Sequence, residues 1–143
     1  MTYGNMDKAF NVLLRGGPLI AAHKGRYLKA PDGLSIEPGA FVSALEFASG
    51  ASASVIGKPS STFFETVIDS FGLAESSTGD FIMIGDDVVD DALAAKQLGL
   101  ISVLVQSGKY LPGDETKYKN SPDFVCKDFE HFVTMYLNTK SHL

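Results

Sequence analysis

An uninterrupted apolar run, Phe81-Ile82-Met83-Ile84, stops at Gly85 and opens directly onto Asp86-Asp87-Val88-Val89-Asp90-Asp91, so that four carboxylates fall within six positions. Four apolar residues closed by a glycine predict a strand buried on both faces of a parallel sheet. Ala92 to Leu98 then continues with helical spacing. The acids therefore occupy the carboxyl end of a strand, where open α/β sheets place their ligands. Two explanations compete for them. Crowded carboxylates favour a hard divalent cation with oxygen ligands, such as Mg²⁺, over mutual repulsion. An aspartate N-cap with acids in the first turn stabilises a helix with no ion at all. The cation is the favoured reading.

A chain of 143 residues, 45% hydrophobic and 20% charged, is long enough for one ordinary globular domain with a real core. A net charge of −5 argues against nucleic acid or an anionic membrane as the principal partner, because both need a basic face. The single cysteine, Cys126, follows Phe124 and Val125 and reads as a buried structural thiol; one cysteine forms no internal disulfide and suggests a reducing compartment. Met1 to Asp7 lacks the pattern of a signal peptide, and no run approaches the roughly 20 apolar residues of a membrane span. The expectation is a soluble, cytoplasmic protein.

Along the chain, Met6, Phe10, Leu13 and Leu14 predict an amphipathic helix stopped by Gly16-Gly17-Pro18, and a short strand at 19–22 follows. His23 to Lys29 carries four potentially cationic side chains before Pro31-Asp32-Gly33 and reads as solvated surface approaching a turn. Phe41, Val42, Leu45 and Ala48 predict a second helix ended at Gly50, and 53–56 a strand leading into Gly57-Lys58-Pro59. Ser60-Ser61-Thr62, with the Thr62-x-x-Glu65 capping-box spacing, starts a third helix whose face is Phe63, Phe64, Val67, Ile68 and Phe71. Residues 101–105 and 124–126 read as strands, joined by a polar connection of a length reserved for functional loops or loose linkers. Phe129, Phe132, Val133, Tyr136 and Leu137 mark a terminal amphipathic helix. Strand and helix alternate from residue 41 to 137, which predicts an α/β fold of right-handed βαβ units around a parallel sheet. Residues 1–30 fit that alternation poorly and look like the end of another unit.

Lys58, directly after a strand, projects from the carboxyl edge that also carries Asp86 in this reading. A fixed cation and an acid cluster on neighbouring strand ends suit a phosphate handled with Mg²⁺. Taken alone, Gly-Lys-Pro is better read as a solvated loop; the later acid cluster reverses that preference. Neither His131, in the terminal helix, nor His142, in the tail, suggests a ligand.

Gly57-Lys58-Pro59 and Gly85-Asp86-x-x-x-x-Asp91 resemble the third and fourth motifs of the haloacid dehalogenase superfamily, specifically its phosphatases with a large inserted cap. Ala9-Phe10, Leu19-Ile20-Ala21, Asp32-Gly33-Leu34, Pro38-Gly39, Ala44-Leu45-Glu46 and Val105 to Tyr110 are similar as well, so the resemblance spans nearly the whole chain. It implies a partial Rossmann-like core over 31–143, preceded by the cap's last piece over 1–30. It further implies that Asp86 ligates Mg²⁺, that Asp91 binds the ion or orients its water, and that Lys58 holds the nucleophile and the phosphoryl group. Asp90 stands in for Asp91 if the turn is one residue tighter, Asp87 either assists or caps the helix, and Lys24 and Arg26 are weak candidates for facing substrate. The family works through an aspartyl-phosphate on phosphorylated small molecules or phospho-amino acids.

The family's first motif, Asp-x-Asp followed by Gly and Thr, supplies nucleophile and general acid, and no Asp-x-Asp occurs in these 143 residues. The second motif is missing too. The expectation is therefore an inactive fragment or truncated form, whose strand at 81–84 presents an unpaired edge to an oligomeric or strand-adding partner. Two alternatives stand beside it. One is a non-catalytic interaction module retaining a cation site. The other, a phosphoacceptor signalling domain, needs a lysine after the acids, and Lys109 lacks an accompanying acceptor context.

Overall fold

The computed structural model describes residues 1–72 and 77–140, so His142 lies outside the described residues. The chain divides into two compact units, Met1–Phe63 and Phe64–Leu143.

In the first unit, helix α1 (Tyr3–Leu14) is capped by Thr2, whose hydroxyl accepts from the Asn5 N–H at 3.3 Å, and it buries Leu13. Strand β1 (Ile20–Ala21) pairs in parallel with β4 (Ser54–Val55), in the register Ile20↔Ser54 and Ala21↔Val55. Between them lie a hairpin and helix α2 (Pro38–Ser49), which starts on Pro38 and ends where the Gly50 N–H donates to the Glu46 carbonyl at 2.8 Å. The hairpin, β2 (Tyr27–Ala30) with β3 (Gly33–Ile36), is antiparallel and turns through Pro31-Asp32. Its basic first strand had read as surface leading to a turn. The boundary expected after residue 30 falls within this hairpin, at the Ala30↔Gly33 pair.

Helix α3 (Ser61–Ser70) crosses the division between units. It begins at Ser61, so Ser60 takes the position ahead of the first turn and Thr62 lies inside the helix, not at the N-cap that the Thr62-x-x-Glu65 spacing predicts. Phe64 is buried, whereas Val67 and Phe71 of the same expected face are exposed.

The second unit is a three-stranded parallel sheet in the order β5 (Ile82–Gly85), β6 (Ile101–Val105), β7 (Phe124–Cys126). Alternation along β6 organises its core. Val103 and Val105 point to one side and pack with Cys126 and Phe132 of helix α5 (Phe129–Lys140). Leu104 points to the other and packs with Val88, Ala92 and Leu93, with Tyr110 and Tyr118 against them. Val103 and Leu104 are wholly excluded from water, each such side chain contributing about 1.5–3 kcal/mol of transfer free energy.

Strand β5 is half-buried along its whole length, not covered on both faces, because among the described residues it pairs with β6 alone and forms the sheet's edge. The apolar stripe of α5 buries Phe132 but leaves Phe129 and Leu137 exposed. No helix among the described residues is long and apolar enough to cross a membrane.

Candidate functional site

The acid cluster leaves β5 at Gly85 and enters a wide π-type turn, Val88–Leu93, before the short helix α4 (Ala94–Gln97). Both the Asp91 and the Ala92 N–H groups donate to the Asp87 carbonyl, at 3.1 and 3.2 Å. The turn is thus wider than an α-helical one, the opposite of the tightening that would have brought Asp90 into the place of Asp91. Such widened turns recur at functional sites. Asp91 is 3% exposed, and its Oδ2 accepts from the Asp87 N–H at 3.2 Å. Its carboxylate lies so close to Gly85 that a methyl group there would stand 2.1 Å from Oδ2.

Asp87 caps the turn, as one of its two expected roles required: its Oδ1 accepts from the Val89 and Asp90 N–H groups at 2.8 and 2.9 Å. Its Oδ2 lies 2.7 Å from the Lys109 ammonium. Burial by itself would raise the Asp87 carboxyl pKa, but the Lys109 ammonium and the two backbone donors outweigh it and hold the group below the ordinary aspartate range.

Asp86 points toward the loop that follows β6. Its Oδ2 accepts from the Lys109 N–H at 2.6 Å. Gly108 adopts φ +56°, and a methyl group there would stand 1.8 Å from the same oxygen. The sequence offers Lys109 only as the lysine of a phosphoacceptor domain, set aside for want of acceptor context; the structure brings it against both Asp86 and Asp87. A signal was present: in a parallel sheet the ends of adjacent strands share an edge, and Ser107-Gly108-Lys109 follows the strand beside the acid strand.

That loop is not a loose linker. The Tyr110 hydroxyl donates to Glu115 Oε2 at 2.7 Å, and the Leu111 N–H donates to Asp114 Oδ2 at 2.9 Å. Tyr110 and Tyr118 seat it on the Leu104 side of the core.

Lys58 belongs to the first unit. The Ile56 N–H donates to the Ala21 carbonyl at 3.0 Å, and the Ser60 N–H closes a turn on the Gly57 carbonyl at 3.0 Å, with a cis Lys58–Pro59 peptide inside it. This turn holds Lys58, half-buried, at the exit of β4. Lys24 and Arg26 lie in the same unit and line an open recess of about 470 Å³ with Gly39, Ala40 and Ser43. The Lys24 ammonium donates to Glu46, whose other oxygen accepts from the Ala53 N–H at 3.0 Å. Lys24 thereby lowers the Glu46 pKa, and its charge is matched within the unit.

The donor chemistry fits Mg²⁺. Asp86 and Asp91 carry hard carboxylate oxygens, each accepting a backbone N–H on Oδ2, while Asp87 is held by two N–H groups on Oδ1 and an ammonium on Oδ2. Among the described residues no set of three or more His, Cys, Asp or Glu side chains forms a cage. Mg²⁺ suits such a place, since it is held by one or two carboxylates and keeps several waters.

A parallel sheet flanked by helices, with the acid loop leaving its carboxyl edge, defines an α/β protein. The HAD-hydrolase-like family matches residues 55–132, more than half of the chain, and the chain belongs to that family, within the haloacid dehalogenase superfamily. It is 44% identical over 131 residues to haloacid dehalogenase-like hydrolase domain-containing protein 2 of Mus musculus, covering 92% of this chain and 49% of that protein. It is 41% identical over 138 residues to phospholysine phosphohistidine inorganic pyrophosphate phosphatase of Xenopus laevis, covering 95% of this chain and 50% of that protein. Among solved structures, 4-nitrophenylphosphatase from Thermotoga maritima is similar with a TM-score of 0.82 and 27% identity, covering 94% of this chain and 51% of that one. The chain thus spans about half the length of the relatives it matches.

Proposed function

We propose that these residues form the ion-holding and charge-supplying part of a Mg²⁺-dependent phosphatase, with Asp86 and Asp91 as the metal pair and Lys58 as the phosphate-binding cation. The observation that supports this reading is the arrangement of the acid loop: Asp87 is held by an ammonium and two backbone N–H groups, while Asp86 follows Gly85 and Asp91 packs against it at the end of β5, each accepting a backbone N–H on Oδ2. When bound, Mg²⁺ would neutralise charge on a phosphoryl group. Asp86 and Asp91 would hold the ion, and Lys58 would orient the phosphate by charge. Phosphorylated small molecules or phospho-amino acids, the substrate class that the names of the relatives indicate, are consistent with that chemistry.

The attacking carboxylate of an Asp-x-Asp motif is not among these 143 residues. The polypeptide assayed by itself is therefore expected to leave 4-nitrophenyl phosphate intact. Hydrolysis that requires Mg²⁺ and disappears in Asp86→Asn would refute this inactivity. The metal reading is tested separately by thermal unfolding across a Mg²⁺ titration. Wild type is expected to gain stability as the ion saturates it, and Asp86→Ala and Asp91→Asn to gain none. Equal responses in all three would overturn the assignment.

A second reading, an interaction module, is favoured by the unpaired edge of β5 among the described residues. Sedimentation over a wide concentration range tests for association of the chain with itself. A monomer at every concentration would argue against self-pairing through that edge.

A further inference from the structure

We propose that Lys109 is a positioning residue that decides which carboxylates of the 86–91 loop are presented to a cation. This rests on the reading of Asp86 and Asp91 as the metal pair, and it goes beyond that reading in giving the loop a device for choosing its ion.

Adjacent acids such as Asp86 and Asp87 raise a problem of number. Left uncompensated, Asp87 would be a third carboxylate at the strand end and would compete for the ion. One residue of the loop after β6 touches both acids, each in a different way. Its backbone N–H fixes Asp86 Oδ2 at 2.6 Å, and its ammonium sits 2.7 Å from Asp87 Oδ2. The Lys109 and Asp87 side chains are 17% and 18% exposed, so solvent screens the pair weakly. The other oxygen of Asp87 is occupied by the Val89 and Asp90 N–H groups. A cation approaching Asp87 meets the Lys109 ammonium at Oδ2 and two backbone donors at Oδ1.

The clamp is held from behind. Gly108 leaves room for the Asp86 carboxylate at φ +56°, Leu111 is tied to Asp114, and Tyr110 and Tyr118 rest on the core around Leu104. Lys109 is therefore not a freely moving surface lysine. Its consequence for chemistry is one of ion choice. Two carboxylates with retained water suit small, octahedral Mg²⁺, whereas a further carboxylate favours larger Ca²⁺, which accepts more oxygen ligands and looser geometry.

The test is isothermal titration of the full chain with Mg²⁺ alone and with Ca²⁺ alone. It compares wild type, Lys109→Met, Lys109→Met/Asp87→Asn and Lys109→Arg, with circular dichroism to verify folding. Lys109→Met is expected to shift the Ca²⁺/Mg²⁺ affinity ratio toward Ca²⁺ on the order of tenfold, through the added ligand charge. Adding Asp87→Asn is expected to return the ratio to within about twofold of wild type, because asparagine keeps the cap but not the charge. A residue that merely held the loop in place would not be rescued this way. Should Lys109→Met fail to fold, Lys109→Arg carries the test: it retains the charge and is expected to retain the ratio, and a changed ratio would overturn the proposal. Mg²⁺ binding with an unshifted ratio in Lys109→Met, or a shift that Asp87→Asn does not reverse, overturns the role of Lys109 alone. No Mg²⁺ binding by the wild type overturns the metal pair and this role together.

Discussion

Asp123 and Ser102 are locked reciprocally. One carboxylate oxygen of Asp123 accepts from both the N–H and the hydroxyl of Ser102 at 2.9 Å, and the Asp123 N–H donates back to the Ser102 hydroxyl at 3.0 Å. The second carboxylate oxygen takes the Lys96 ammonium at 2.7 Å. Ser102 is wholly buried, so this carboxylate satisfies a polar group inside the sheet where β6 begins and β7 is about to join it.

The lock implies a pH-dependent contribution to stability. Burial pushes the Asp123 carboxyl up, but Lys96 and the Ser102 donors outweigh it and lower the pKa below the ordinary 3.8. A depressed folded value means that the stabilisation is fully present above the unfolded pKa and is lost as pH falls through the folded one. The carboxylate is partly exposed, so the effect is screened and modest. The difference in urea midpoint between wild type and Asp123→Asn is expected to be constant from pH 7 to about 5 and to shrink below about pH 4. A difference that stays unchanged down to pH 3 would show that the charge contributes nothing.

Core and surface should separate sharply. Leu104 is wholly buried against Val88, Ala92 and Leu93, whereas Phe47 is 94% exposed despite being the larger side chain. Leu104→Ala is expected to cost about 2–5 kcal/mol in denaturant unfolding, and Phe47→Ala to stay within about 0.5 kcal/mol of wild type. Similar losses for the two would mean that Phe47 is covered in solution.

What the sequence makes legible follows the range of the interactions involved. Residues 101–105 and 124–126 form strands within the expected limits because continuous apolar runs carry their own signal. The hairpin at 27–36 escaped because Lys29 and its basic neighbours dilute the alternation, and its pairing depends on two residues of turn. Periodicity found the apolar faces of α3 and α5 but cannot say what covers them, and Phe71 and Phe129 are exposed. In the candidate site, the acids announce themselves by crowding. The Lys109 contacts do not, because they join residues distant in sequence that only the β5–β6 register brings to one edge.

Cys126 offers a chemical check on the sheet. It is 3% exposed beneath α5, and burial, helped by the nearby Asp128 charge, raises its thiol pKa. Thiolate is the reactive form, so the native protein at neutral pH is expected to react with iodoacetamide far more slowly than the urea-unfolded chain. Comparable rates would place the thiol at the surface and contradict the packing of Phe132 over it.

The last expectation concerns Gly85, where strand chemistry and site chemistry meet. A methyl group there would lie 2.1 Å from Asp91 Oδ2, 2.3 Å from its Cγ and 2.5 Å from its Cβ. The clash reaches the Cβ atom, so a change of side-chain rotamer cannot relieve it; either the π-type turn or the end of β5 must move. Such overpacking costs typically about 1–3 kcal/mol. Gly79→Ala is the matched control, because its added methyl would meet nothing closer than the Ser77 hydroxyl at 3.6 Å. Thermal unfolding is expected to show Gly85→Ala clearly destabilised and Gly79→Ala near wild type, with the Mg²⁺ response weakened in the former alone. A fully stable Gly85→Ala with an unchanged Mg²⁺ response would mean that Asp91 does not lie against the strand end, and the metal pair would lose its second member.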